Sequence, residues 1–129
     1  MIPVIIVEGK NDKIKLEKLL RKGAVDICCT FGTPGEERLA KLKRIAGDRD
    51  VYIFTDNDTR GKKIRAMLRD AFPDAIHLHT NKGYAGVEGT PDEYLIERLE
   101  KTDLAAYLNA EYITEHINDR RNRDQTEGG

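Results

Sequence analysis

Four short apolar runs, each followed by a stretch of helical periodicity, constrain this chain more than any other feature. Met1–Val7 carries three β-branched residues in succession, Val4-Ile5-Ile6, as expected of a strand buried on both faces. Ala24–Phe31, Asp50–Thr55 (with Val51-Tyr52-Ile53-Phe54) and the shorter Ala75–His79 repeat the pattern. Between them, a helix is expected from Asn11 or Asp12 to about Lys22, with Ile14, Leu16, Leu19 and Leu20 inward. Thr33-Pro34-Gly35-Glu36 reads as the start of a second helix, with Thr33 as cap and Glu36 closing a capping box. Leu39, Leu42 and Ile45 would face inward there, and Gly47 would end it. A third runs from about Thr59 to Ala71, with Ile64, Met67, Leu68 and Ala71 at helical spacing. Thr90-Pro91-Asp92-Glu93 repeats the start signature for a helix to about Leu99. A short helix near Asp103–Leu108 and a last turn or two in Tyr112–Ile117 follow. This alternation implies an α/β fold: a mainly parallel four-stranded sheet flanked by helices on both faces.

A chain of 129 residues suits one domain. Apolar spacing carries it over residues 1–118, and 119–129, without an aliphatic or aromatic residue, reads as a flexible tail. The opening apolar run is too short for a signal peptide or membrane span and meets Glu8 at once, so a cytoplasmic protein is expected. Cys28 and Cys29 are adjacent, with neither bridge nor zinc spacing, and read as small core filler. The net charge of −1 conceals an asymmetry: residues 1–69 hold 16 Lys/Arg against 10 Asp/Glu, residues 70–129 hold 6 against 13. A basic first half suits a phosphate backbone, although solvated helix faces explain the same lysines.

In an open parallel sheet, ligands bind beyond the carboxyl ends of the strands where the strand order switches. Two such ends stand out: Glu8-Gly9-Lys10-Asn11-Asp12 after the first strand, and Asp56-Asn57-Asp58-Thr59-Arg60-Gly61-Lys62 after the third. Asp56 and Asp58, two apart at a strand end, can point to one side. Such a pair suits Mg²⁺, which takes one or two protein carboxylates and keeps water and phosphate elsewhere. Asp58 can equally cap the following helix, and Glu8 taken alone is an acid in a loop. Glu8 joins the pair if the first and third strands are neighbours, as general acid or base or as another ligand. Gly9 and Gly61 would admit a close phosphate.

EGKND at residues 8–12 and TDNDTRGKKIR at residues 55–65 resemble the two motifs of the Toprim domain. That domain is shared by DnaG-type primases, type IA and type II topoisomerases, old-family nucleases, recombination mediators and small ribonucleases. Within it the pattern is most similar to the primase-related bacterial ribonuclease that matures 5S ribosomal RNA, and Gly86-Val87-Glu88 adds to the likeness. The resemblance implies a Rossmann-like Toprim fold over roughly residues 1–80, Glu8 as general acid/base, and Asp56 and Asp58 as Mg²⁺ ligands, with Mn²⁺ as a substitute. It makes Gly9 and Gly61 turn glycines. Lys10, Asp12, Arg60 and Lys62 become secondary candidates for holding substrate, the lysines being otherwise solvated and Asp12 otherwise a first-turn acid. Lys82, Tyr84 and Glu88 on the Asn81–Gly89 loop could contact nucleic acid; that loop reads equally as a plain connection.

The expected activity is phosphodiester cleavage in structured RNA. The additional domain of the 5S-maturing enzymes is not expected here, so a protein partner supplying specificity, or a non-catalytic binding module, is the alternative expectation. Haloacid-dehalogenase-type phosphatases also place a DxD at a strand end, but near the chain start, and they leave Glu8 unexplained. A receiver domain would need its acid pair after the first strand. His77 and His79 alternate on a short strand and read as structural.

Overall fold

A computed structural model describes residues 1–118. The expected flexible tail, 119–129, lies outside the described residues. The order is β1 (Val4–Val7), α1 (Lys10–Leu19), β2 (Asp26–Cys29), α2 (Glu36–Ala46), β3 (Val51–Phe54), α3 (Thr59–Ala71), β4 (Ile76–Leu78) and α4 (Asp92–Glu100). A 3₁₀ turn at Asp103–Tyr107, α5 (Ala110–Ile113) and a π turn at Thr114–Asn118 complete it.

The four strands form one sheet in the order β2-β1-β3-β4, and all three pairings are parallel. Because a strand's side chains alternate between faces, the continuous apolar runs feed two cores at once. Ile5, Val7, Tyr52 and Phe54 pack under α1, α4 and the C-terminal turns, with Leu16, Leu19, Leu95, Leu99 and Ile117. Val4, Ile6, Val51 and Ile53 pack on the opposite side with Leu42, Ala46, Ile64 and Leu68 of α2 and α3. Cys29 joins the first core and Cys28 borders the second; both are free thiols, as expected of core filler. Among the described residues no helix is long and apolar enough to cross a membrane.

Several local expectations are corrected. The second helix is capped by Gly35, not Thr33, and no side chain bonds its first amides, so the Thr33–Glu36 box does not form. The fourth is likewise entered one residue late, with Pro91 at the cap, because Thr90 turns inward and its hydroxyl donates to the Gly86 carbonyl. Ile14 and Ile45, read as inward, are exposed at 42% and 38%. The periodicity of α1 and α2 left room for a wider apolar stripe than the sheet covers. The expectation at Gly47 holds: it ends α2 with φ +54, a backbone conformation that favours glycine.

Candidate functional site

The sheet order decides the site. β1 is central and pairs with β3, so the residues just beyond Val7 and Phe54 emerge side by side. This is the position where successive crossovers leave to opposite sides and a crevice opens. Glu8 Oε1 accepts a hydrogen bond from the Asp56 backbone N–H at 3.0 Å, which ties the two strand ends together.

Asp56 is enclosed. Its Oδ1 is buried and has no hydrogen-bond partner. The Gly86 backbone presses against it: a Cβ at residue 86 would stand 1.9 Å from Oδ1, and Gly86 adopts φ +66. Gly61 makes the second close approach, since a Cβ there would meet the Asp56 carbonyl oxygen at 2.2 Å and Glu8 Oε1 at 2.8 Å. These two glycines let the backbone close around the carboxylates.

Asp58 is placed differently. It is exposed and caps α3, its Oδ1 accepting from the Gly61 N–H at 2.7 Å. The capping reading is thus realised; Oδ2 remains outside that bond. Asp12, 8% exposed, is the most buried of the candidate acids. One of its oxygens accepts from Gly9 N–H at 3.0 Å and the other from Glu88 N–H at 3.1 Å. Asp12 therefore joins the start of α1 to the loop that carries Gly86. Glu88 reinforces this join through Asn11, whose Nδ2 donates to Oε1 at 3.3 Å, and the Lys15 ammonium reaches the carbonyls of Glu88 and Thr90.

The 81–89 loop is consequently an anchored part of the site, not a slack connection. Arg98 donates twice to Asn81 Oδ1, at 3.0 and 2.7 Å, and Asn57 Nδ2 donates to the Thr80 carbonyl at 2.9 Å. Tyr84, 36% exposed, leans on Tyr94 with ring centroids 5.4 Å apart. Lys10, Lys62 and Lys82 are exposed around this edge. Arg60 lies over Gly32, whose added Cβ would meet its Nη2 at 2.4 Å.

Burial is the main reason that the carboxyl groups of Glu8, Asp12 and Asp56 all titrate above their ordinary values. At Glu8 the Asp56 N–H pulls the other way, while the charges of Asp56, Asp58 and Asp12 add to the rise. At Asp56 the neighbouring Asp12 and Asp58 charges add to it, and the Val87 amide offsets part. Glu8, Asp12 and Asp56 thus stand together in one crevice as three acids that resist ionisation. Among the described residues no group of three His, Cys, Asp or Glu side chains is placed to hold an ion unaided.

Arg65 was missed by the sequence reading. It is 4% exposed on the inner face of α3, where its guanidinium spans the ends of two strands. It donates to the carbonyls of Thr55 at 3.0 Å, Leu78 at 2.6 Å and Ile53 at 3.4 Å, and lies 3.0 Å from His77 Nδ1. Burial pulls it down to about 10, so it stays charged at neutral pH, with Glu8 contributing a stabilising field. The available signal was its position between Ile64 and Leu68 on the buried stripe. His77 is structural as expected: burial and Arg65 both lower its pKa, leaving a neutral ring beside the guanidinium.

Comparison with known proteins shows the family and the fold. The family model described as the Toprim domain matches residues 3–86. The uncharacterized protein YusF of Bacillus subtilis is 40% identical over 101 residues, covering 78% of this chain and 68% of that protein. Ribonuclease M5 of Lactococcus lactis is 29% identical over 133 residues, covering 94% of this chain and 59% of its own, so the chain spans little more than half of that enzyme. A solved structure of a small TOPRIM domain protein from Bacillus stearothermophilus is similar with a TM-score of 0.74 at 36% identity, covering 86% of this chain and 92% of that one.

Proposed function

This chain belongs to the Toprim domain family, and on that footing we propose that it is a metal-dependent nuclease of structured RNA, similar in chemistry to the 5S-maturing ribonucleases. The observation that carries the reading is the Glu8–Asp56 pair: two strand ends joined by a hydrogen bond, both carboxyl groups raised by burial, one oxygen enclosed without a partner.

Toprim domains generally use a divalent cation, and the donor set here fits one. The orphaned Asp56 Oδ1 and the free Oδ2 of Asp58 are hard oxygens of the kind Mg²⁺ or Mn²⁺ takes, with its remaining positions left to water and phosphate. When bound, such a cation would neutralise charge on a phosphoryl oxygen and polarise it.

The chain's own residues supply the rest. The Asp56 N–H fixes Glu8 through Oε1, leaving Oε2 to hold or deliver a proton. Gly9 gives α1 no capping side chain, so the amides behind it are open to a phosphate. Lys10, Arg60, Lys62 and Lys82 would meet the backbone charges of a nucleic acid, and Asp12 and Glu88 would hold the loop that shapes the crevice. This activity would operate in the cytoplasm.

A cleavage screen on ribosomal RNA precursors and nicked DNA with Mg²⁺ or Mn²⁺ tests the reading. Cleavage by the wild type that is lost in Glu8→Gln supports it. Intact substrates, bound with salt-dependent affinity, would assign the chain to the non-catalytic binding modules that work with a partner protein.

A further inference from the structure

Phe31 is unexplained by the site described so far. It lies just beyond β2, at the same carboxyl edge, and is a large apolar side chain that the fold leaves 70% exposed. It is also the one non-glycine residue with positive φ (+56) among the described residues. A bulky L-residue rarely adopts that conformation, and where it persists the surroundings over-determine it. They do so here. The Phe31 N–H donates to the Glu8 carbonyl at 2.8 Å, so its backbone hangs on the residue that carries the proposed acid/base. Arg38 stacks over one side of the ring at 5.2 Å from its centroid, and its guanidinium is itself fixed on the Cys29 carbonyl. Gly32, next in the chain, adopts φ +90 and makes room for Arg60. An exposed ring is thus held beside the crevice, with the Arg38 guanidinium over one face and Arg60 against the neighbouring Gly32.

We infer that Phe31 is a stacking platform for one unpaired nucleobase of the substrate, seated next to the phosphodiester at Glu8. The inference rests on the nuclease reading of the same site and names what that reading lacks, a group that reads the strand beside the phosphate. Aromatic faces take any base, so the contact favours single-stranded or splayed nucleotides over a closed duplex and is tolerant of sequence. The flanking Arg38 and Arg60 would meet the phosphates on either side of that base.

The test measures binding in a Glu8→Gln background with Mg²⁺, so that RNA stays intact. The probe is an unpaired RNA of about ten nucleotides with 2-aminopurine placed at each position in turn. With Phe31 present, fluorescence at one or two positions is quenched on binding. Phe31→Gly and Phe31→Leu should each weaken binding by about tenfold and abolish the quenching, as loss of one stacked base implies, and Phe31→Trp should restore both. Glycine relieves the positive φ, so Phe31→Gly should keep or raise the urea midpoint while it loses affinity. Unchanged affinity and quenching in the glycine or leucine variant would overturn the inference and leave the nuclease reading standing, as would a lowered midpoint in Phe31→Gly. Failure of the parent protein to bind the RNA at all would overturn both.

Discussion

The Gly86 backbone occupies the space beside the Asp56 carboxylate so fully that a single added carbon would lie 1.9 Å from Oδ1. The two residues belong to different strand-to-helix connections, and the contact exists because Asp12 and Arg98 pin the intervening loop from both sides. It makes the loop a wall of the crevice.

Gly86→Ala should therefore act on both the fold and the site. The Cβ would force either the loop or the carboxylate to move, and alanine is strained at φ +66. We expect a loss of about 1–3 kcal/mol in urea denaturation, together with a smaller Mg²⁺-induced rise in Tm. A variant as stable as the wild type, with an unchanged response to Mg²⁺, would show that the contact is slack in solution.

Asp58 separates capping from charge. Asp58→Ala removes the acceptor for Gly61 N–H and should cost about 1 kcal/mol, whereas Asp58→Asn keeps a good cap and should cost a few tenths at most. The double variant Asp56→Asn/Asp58→Asn should abolish Mg²⁺-linked stabilisation, read as the Tm shift on adding the ion. A full Tm shift in the double variant would sink the ligand assignment.

The raised acids predict a pH dependence of stability without metal. Glu8, Asp12 and Asp56 titrate above their ordinary 4.5, 3.8 and 3.8, so the folded chain binds more protons than the unfolded one between those values and the raised ones. Each ionised group therefore penalises the fold at neutral pH, and the penalty is relieved as pH falls through the raised pKa. In chelator, Glu8→Gln and Asp56→Asn should be more stable than the wild type at pH 7, and the difference should shrink as the pH approaches the ordinary values. A difference that grows on acidification would contradict the assigned direction.

Arg65 should be a major single contributor to stability near the site. Arg65→Ala strips the carbonyls of Thr55 and Leu78 of a charged donor in a buried place, at a cost of about 3 kcal/mol. Lysine offers a point charge instead of a planar fork, so Arg65→Lys should recover only part of it. Urea midpoints of the two variants decide this; equal loss in both, or none in either, would mean that the fork geometry is immaterial.

Much of the fold was legible in the amino-acid sequence. The run Val4-Ile5-Ile6 and its counterpart Val51-Tyr52-Ile53-Phe54 are apolar at every position, and only a strand covered on both faces needs that. The acids that follow those runs, Glu8 and Asp56, could be named as candidates because side chains at strand ends in a parallel sheet share an edge. The capping signatures at Thr33 and Thr90 were less informative. Each start shifted by a residue or two once the chain had to pack, since a cap is worth about 1 kcal/mol and tertiary contacts such as Thr90 with Gly86 compete at that scale.

The sequence by itself determined the alternation of elements, the two-sided burial of the strands and the candidate carboxylates, because these depend on local periodicity and residue type. Only the tertiary structure decided that β1 and β3 are neighbours, so that Glu8 bonds to Asp56, that Asp58 Oδ1 caps a helix, that Arg65 bridges the ends of β3 and β4, and that Gly86 closes on Asp56. The reason is that hydrogen bonds and steric fits between residues far apart in the chain depend on the order of strands and the path of a loop, and neither is encoded in the spacing of any one segment.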